Sequence, residues 1–288
     1  MKSAIVTGAN GLLGSHLVRN LREKGVLVYA LVRNSTFSED SGLKYIQIDL
    51  GTDFDPSLLP NSVDTIFHVA QAREYRDFPN HANSVFMVNT LSTSKLLEYA
   101  NRTGVRSFVY ASSGGVYEDS PNELRETDPI KSHLNLGNYF TTKVASEALV
   151  FNYKPLMKIA ILRYFFIYGA GQNRLMMIPR IYDRVRDQEA LQIQGNDGLS
   201  FNPIHATDAA EATIMASLHA ESILSNVAGP ESITLRQMAE IFGRHLGQLP
   251  LFEFTSGEGP SIVAATETMG TFFQPKLRIK DSIEDIAL

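Results

Sequence analysis

Tyr139 and Lys143 stand four apart in NYFTTK, residues 138–143, within a segment whose pattern predicts a helix. One helical turn separates them, so both side chains leave the same face. An ammonium beside a phenol favours the phenolate and lowers its pKa from about 10 towards neutrality, which yields a proton donor and acceptor for physiological pH. A second feature with chemical content is TGANGLLGSHL, where Gly8, Gly11 and Gly14 are spaced three apart between an apolar run and a helical pattern. Glycines there let the backbone turn tightly and approach a pyrophosphate, whose charge is favoured by the N–H groups at a helix start.

These residues need a scaffold. Apolar, β-branched runs recur at 2–8, 26–33, 44–50, 63–70, 105–113 and 157–164. Helical patterns lie between several of them, at 12–25, 83–104 and 138–153, the first two ending in Gly25 and Gly104 as helix C-caps. Strands alternating with helices predict an α/β fold with a doubly wound parallel sheet. After about residue 165 the alternation loosens, leaving helical patterns at 207–219 and 234–245 and a tail punctuated by Gly and Pro. We expect a dinucleotide-binding domain over 1–165, to which 200–225 returns, and a smaller C-terminal lobe built from 166–199 and 226–288.

Composition narrows the function classes. A chain of 288 residues, 44% hydrophobic, can bury a substantial core. Its formal charge of -5, from 26 basic and 31 acidic residues, offers no basic excess or Lys/Arg-rich run for a nucleic-acid backbone. The absence of cysteine excludes disulfides, thiolate zinc sites and a cysteine nucleophile, and the seven His fall in no metal-ligand spacing. Apolar stretches such as IAILRYFFIYGAG are short and interrupted by Arg163, so we expect a cytoplasmic protein without a membrane segment.

Taken in order, TGxxGxxG at 7–14, IDL with Asp49, HVAQA at 68–72, VNTLSTSKLLEYA with Asn89, YASSGGVYE with Ser113, YxxxK at 139–143 and PIHATDAAEA resemble one family over nearly the whole chain. It is the extended short-chain dehydrogenase/reductases, the group that includes the NAD-dependent epimerase/dehydratase enzymes. The resemblance implies a Rossmann-type sheet with a smaller substrate-binding lobe. It implies that Tyr139 is the general acid/base, that Lys143 holds the nicotinamide ribose and lowers the Tyr139 pKa, and that Ser113 hydrogen-bonds the reacting oxygen, with Ser112 as the alternative. A dinucleotide would meet Gly8, Gly11, Leu12, Gly14, Arg33, Asp49, Leu50, Ala70, Asn89, Tyr139 and Lys143. Asp49 would accept from the adenine amino group, its other reading being a strand-end cap. His68, His205 and Asp208 read as structural. Dimerisation through helices of the cofactor domain is usual in the family, and the sequence gives no independent sign of a homodimer.

The second strand pattern ends ALVRNS, which puts Arg33 where an acid would meet the ribose 2'-hydroxyl of NAD. Arg33, with Asn34 and Ser35 after it, points to NADP(H), with NAD as the second choice. Related 4,6-dehydratases carry an Asp-Glu pair where this chain has Gly114 and Gly115, so dehydration of that type is not expected. Nucleotide-sugar enzymes of the family place polar diphosphate contacts where this chain has Phe166, Met176 and Phe201, and no Lys or Arg occurs between His245 and Gln274. Arg174, Arg180, Arg184 and Arg186 are the cations that could substitute.

The expected activity is therefore an NAD(P)-dependent oxidoreductase interconverting a secondary alcohol and a carbonyl on a small molecule less charged than a sugar nucleotide. Ser113, Gly114, Phe166, Met176 and Phe201 would line the substrate pocket. The alternatives are a nucleotide-sugar 4-epimerase or 4-ketoreductase, and a non-catalytic NAD(P)-sensing regulatory protein.

Overall fold

The computed structural model describes residues 1–34 and 40–287. The first part of the chain runs β1 (Ser3–Thr7), α1 (Leu12–Glu23), β2 (Leu27–Val32), β3 (Leu43–Gln47) and β4 (Thr65–His68). There follow α2 (Ala82–Phe86), a π turn at Met87–Leu91, α3 (Ser92–Thr103), β5 (Ser107–Ser113), α4 (Gly137–Asn152) and β6 (Lys158–Tyr164). Next come α5 (Met177–Arg186), β7 (Leu191–Gln194), β8 (Ser200–Phe201), α6 (Ala206–Leu218) and β9 (Ile223–Val227). The last part holds β10 (Ile233–Thr234), α7 (Leu235–Leu246), β11 (Phe252–Thr255), β12 (Ser261–Ile262), α8 (Glu267–Gly270) and α9 (Glu284–Ala287).

Seven parallel strands form the main sheet in the order β3-β2-β1-β4-β5-β6-β9. The expected doubly wound α/β sheet is thus present. The strand order reverses between β1 and β4, and a crevice at the C-terminal strand ends beside such a reversal is where this architecture binds ligands. Strands β4, β5 and β6 are buried almost throughout because helices cover both faces, which is why they read as continuous apolar runs.

Alternation along each strand divides the core into two layers. Ala4, Val6, Phe67 and Val109 pack with Leu13 and Leu17 of α1 and with Ala209 and Ala210 of α6. Ile5, Ile66, Phe108 and Tyr110 pack on the opposite face with Leu96, Leu97 and Tyr99 of α3 and Val150 of α4. Helix α3 stops at Gly104, whose φ of +73° closes the last turn in the left-handed region. A third cluster joins Ile178, Ile181, Tyr182 and Val185 of α5 to Met238 and Phe242 of α7, with Phe201 of β8 and Ile283 beside them. Among the described residues no helix is long and apolar enough to cross a membrane.

Candidate active site

The glycine turn explains itself through close contact. Gly8 follows β1 at φ +63°, and a Cβ there would stand 2.8 Å from the Ala70 Cα, so the chain just past β1 and just past β4 almost touches. A Cβ on Gly14 would fall 2.0 Å from the Gly8 carbonyl oxygen. That distance is impossible without prising α1 off the strand. Gly11 donates its N–H to Gly8 O at 2.8 Å and caps α1 without any side-chain hydrogen bond. No acidic residue occupies the first turn of α1, so Leu12 opens a helix whose exposed N–H groups favour an anion. This cradle fits a dinucleotide pyrophosphate.

Other residues assigned to the dinucleotide divide by location. Arg33 and Asn34 are exposed just past β2, and Ser35 lies outside the described residues. Asp49 is exposed, but its Oδ1 accepts from Gly51 N at 2.9 Å, the turn-capping role that was its other reading. The Leu50 side chain is 8% exposed and packs in the α3 layer of the core, which leaves its backbone as the part able to meet a ligand. Ala70 is buried against Gly8 and donates its N–H to Thr7 Oγ1 at 3.1 Å.

Asn89 is 1% exposed and lies in the π turn. Its Oδ1 accepts from Ala72 N at 3.1 Å and its Nδ2 donates to Thr142 Oγ1 at 2.9 Å, so the amide is spent on holding the 69–72 loop against α4. These bonds give the Asn89 amide a positioning role at the loop that carries Ala70. The widened turn also leaves Asn89 O open to the hydroxyls of Ser146 and Thr93, at 2.8 and 2.6 Å.

Lys143 is 2% exposed, and its Nζ donates to Ala111 O at 2.8 Å, fastening α4 to β5 two residues before Ser113. Its Nζ lies 5.8 Å from the Tyr139 ring centroid and 5.2 Å from that of Tyr110. Burial lowers the Lys143 pKa to about 8, opposed by the nearby Glu147 carboxylate. For Tyr139 the expected lowering is overturned: burial, then the neighbouring Tyr75 phenol, push its pKa up, while Arg76 pulls it down. Burial and the Tyr75 phenol disfavour the phenolate more than Arg76 favours it. Tyr139 therefore stands as a protonated phenol. Its hydroxyl donates to Gln71 Oε1 at 2.9 Å.

Ser113 is half-buried at the end of β5, with Oγ accepting from Gly115 N at 3.2 Å and so keeping its own proton to donate. Ser112 points to the other side of the strand, where its hydroxyl donates to Glu147, so it does not substitute for Ser113. Gly114 is buried, correcting its place in the substrate pocket: a Cβ there would meet the Phe165 ring at 2.4 Å. A Cβ on Gly115 would meet the Phe140 ring at 2.3 Å. Two aromatic rings thus fill the space that an acidic pair would need.

Phe166 is half-buried at φ +46°, a conformation that costs a non-glycine residue about 1–3 kcal/mol. Its ring lies 4.8 Å from that of Phe201. Phe201 is fully buried in the α5–α7 cluster, so it supports Phe166 from behind and does not line an open surface, a further correction. Met176 precedes α5, and its Sδ accepts from the Tyr75 hydroxyl at 4.0 Å. Tyr75 in turn packs 4.6 Å from the Tyr139 ring, and so links Met176 to the phenol. Gln71 and Tyr75 were not among the expected site residues, although Gln71 lies inside the HVAQA motif.

Of the substitute cations, Arg174 forks onto Asp183 and reaches Ile286 O, Arg184 donates to Ala190 O, and Arg186 pairs with Asp183 and Asp187. Arg180 is exposed and has no partner among the described residues. The histidines behave structurally. His68 lies between the hydroxyls of Thr7 and Thr93, each at 2.9 Å, and burial lowers its pKa to about 3. His205 Nδ1 accepts from Thr207 N to cap α6 while Nε2 meets Asp285 at 3.0 Å, and Asp208 accepts from the N–H groups of Lys276 and Leu277.

The sequence profile of the NAD dependent epimerase/dehydratase family matches residues 4–229. The chain belongs to this family. It is an NAD(P)-dependent oxidoreductase/epimerase of the extended short-chain dehydrogenase type, as expected. An uncharacterised UDP-glucose epimerase of Bacillus subtilis strain 168 is 25% identical over 270 residues, 87% of this chain and 84% of that protein. A dTDP-4-dehydro-6-deoxy-D-allose reductase of a Streptomyces species is 24% identical over 267 residues, 86% of this chain and 82% of that protein. Among solved structures, MoeE5 in complex with UDP-glucuronic acid and NAD is 25% identical with a TM-score of 0.83, over 99% of this chain and 98% of that one.

Proposed function

We propose that the chain interconverts a secondary alcohol and a carbonyl, with Tyr139 exchanging the proton at the reacting oxygen and Ser113 Oγ holding that oxygen. The observation that carries this reading is Lys143, buried one turn from Tyr139 and fastened to Ala111 O at 2.8 Å beside the strand end that presents Ser113. A bound dinucleotide supplies the hydride chemistry. Gly8, Gly11, Leu12 and Gly14 hold its pyrophosphate, and Lys143 lies where a ribose hydroxyl can be held. The Tyr139 hydroxyl, which donates to Gln71 here, can turn its proton to a carbonyl oxygen seated beside it, and Ser113 keeps a donor for the same oxygen. The lobe of 166–199 and 226–288 supplies the substrate wall through Phe166 and Met176. An intact Ser113, Tyr139 and Lys143 set weighs against a sensor without catalysis.

Arg33 in place of an acid at the end of β2 supports NADP(H), whereas the NAD carried by MoeE5 supports NAD. A second reading, a nucleotide-sugar 4-epimerase or 4-ketoreductase, is favoured by the substrates named for the relatives. Arg180, exposed one turn into α5 and without a partner among the described residues, is the one of the four substitute cations left to meet a diphosphate in that case. The test of the activity is Tyr139→Phe, which removes one oxygen. Turnover across a panel of ketones and UDP or dTDP sugars should fall about 100-fold or more while dinucleotide binding survives. Near-normal turnover would remove Tyr139 from the chemistry. Micromolar binding of UDP-glucose in calorimetry, lost in Arg180→Ala, would select the second reading.

A further inference from the structure

The geometry points to Gln71 as a specificity-determining residue that reads a hydroxyl on the carbon next to the reacting one. The inference rests on Tyr139 working at the reacting oxygen. Gln71 lies three residues beyond the end of β4, exposed at the site mouth, with Oε1 accepting the Tyr139 hydroxyl at 2.9 Å. Its Nε2 has no partner among the described residues, so a donor and the remaining lone pair of Oε1 stay open beside the phenol.

The separation decides what Gln71 can touch. Two groups that hydrogen-bond the same phenol oxygen from tetrahedral directions stand about 4.5 Å apart at ordinary hydrogen-bond lengths. A ketone oxygen seated on Tyr139 takes the phenol's one proton, Gln71 then turns its amide to donate from Nε2 to the phenol oxygen, and the substrate oxygen stays beyond direct reach of the amide, a gap that one polar atom spans. The second oxygen of a vicinal diol or an α-hydroxy ketone lies about 2.8 Å from the first, an ordinary O···O contact distance, and fills that position. It can donate to Oε1 or accept from Nε2. The Tyr75 ring, 4.6 Å from the Tyr139 ring, offers a face, and its hydroxyl is directed to Met176. Gln71 is therefore the polar side chain hydrogen-bonded to the phenol itself, and it keeps open groups for the substituent. The substrate class is a secondary alcohol with a neighbouring hydroxyl, and the corresponding α-hydroxy ketone.

The test compares acetoin with butan-2-one, which lacks the neighbouring hydroxyl, as reducible probes with NADPH and NADH. A neutral hydrogen bond at such a site gives a preference of roughly 2- to 12-fold in kcat/KM for acetoin, and Gln71→Leu should bring the ratio to about one. Equal handling of the pair by the parent chain, or a preference that survives Gln71→Leu, overturns the assignment. A second measurement needs no turnover. In protein carbon-labelled at tyrosine Cζ, the Tyr139 resonance, identified by its loss in Tyr139→Phe, should move in Gln71→Leu, and an unmoved resonance overturns the proposal whatever the kinetics. Tyr139→Phe separates the two levels: if that variant still reduces both ketones as the parent does, the activity reading fails, whereas a lost activity with an unchanged acetoin preference in Gln71→Leu fails the Gln71 role alone.

Discussion

Removing the Glu147 carboxylate should be among the most damaging single changes outside the glycine turn. Its side chain is 10% exposed and that of Arg163 is 6% exposed, and the two meet through paired hydrogen bonds, Nη2 to Oε2 at 2.7 Å and Nε to Oε1 at 3.0 Å. Ser112 donates to the same carboxylate, and the guanidinium lies 4.7 Å above the Tyr117 ring. The remaining nitrogen, Nη1, is buried and has no partner among the described residues. Glu147→Ala leaves this cation enclosed and uncompensated, which costs about 3–5 kcal/mol. Against a total of about 5–15 kcal/mol for a folded domain, that is about a fifth of the stability or more. Urea unfolding followed by circular dichroism would read it as a lowered midpoint at unchanged slope. The double variant Glu147→Leu with Arg163→Met removes both charges at similar volume and should recover most of the loss. A single-variant loss under about 1 kcal/mol, or a double variant as unstable as the single, would show that water or relaxation already compensates the guanidinium and would refute the reasoning.

Three further outcomes follow from other contacts. Arg33→Asp should shift dinucleotide preference from NADP towards NAD in parallel titrations of both cofactors, and tighter NAD binding by the parent chain would give Arg33 another task. Gly14→Ala places a Cβ 2.0 Å from Gly8 O, so it should lower thermal stability by about 1–3 kcal/mol and abolish dinucleotide binding in calorimetry. Stability should also fall on acidification. The folded pKa values of His68 and His16 are lowered by burial, to about 3 and about 4, so between those values and about 6.5 the unfolded chain binds protons that the folded chain does not. Unfolding free energy therefore decreases as pH falls through that window, each His removing about 2 kcal/mol by pH 5 relative to pH 8. Equal urea midpoints at the two pH values would contradict the buried neutral imidazoles.

The sheet was legible in the sequence because burial on both faces leaves an unbroken apolar signature. The run at 105–113 became β5 at Ser107–Ser113, and that at 157–164 became β6 at Lys158–Tyr164. The glycine spacing was legible for a similar reason, since the contact at Gly14 tolerates no side chain. Contacts made between distant segments were not. Phe201 reads as a substrate-pocket aromatic, and its burial depends on α5 and α7 closing over it. Gln71 and Tyr75 acquire their significance because α4 arrives beside them from nearly seventy residues away, the Gln71–Tyr139 separation being 68. The direction of the Tyr139 pKa is not legible in its spacing, because one-turn spacing specifies a neighbour and says nothing of the solvent removed around it.

The segment 83–104 reads as one uninterrupted helix, yet it folds as α2, the π turn at Met87–Leu91 and α3. A π turn accommodates one residue more than the α turn it replaces. It acts as a phase shifter: the face that α2 shows to α4 is offset by about 100° from the one that an unbroken 3.6-residue period would assign. Excising a single residue from 87–91 would restore regular winding and turn the upstream face away. Val85 would leave its buried position, and the carbonyl of Asn89 would return to the helix ladder and be lost to Ser146. The chain's length in this stretch is therefore information in itself. A substitution here tests one side chain, whereas a deletion tests the angular register on which the whole floor beneath Tyr139 depends.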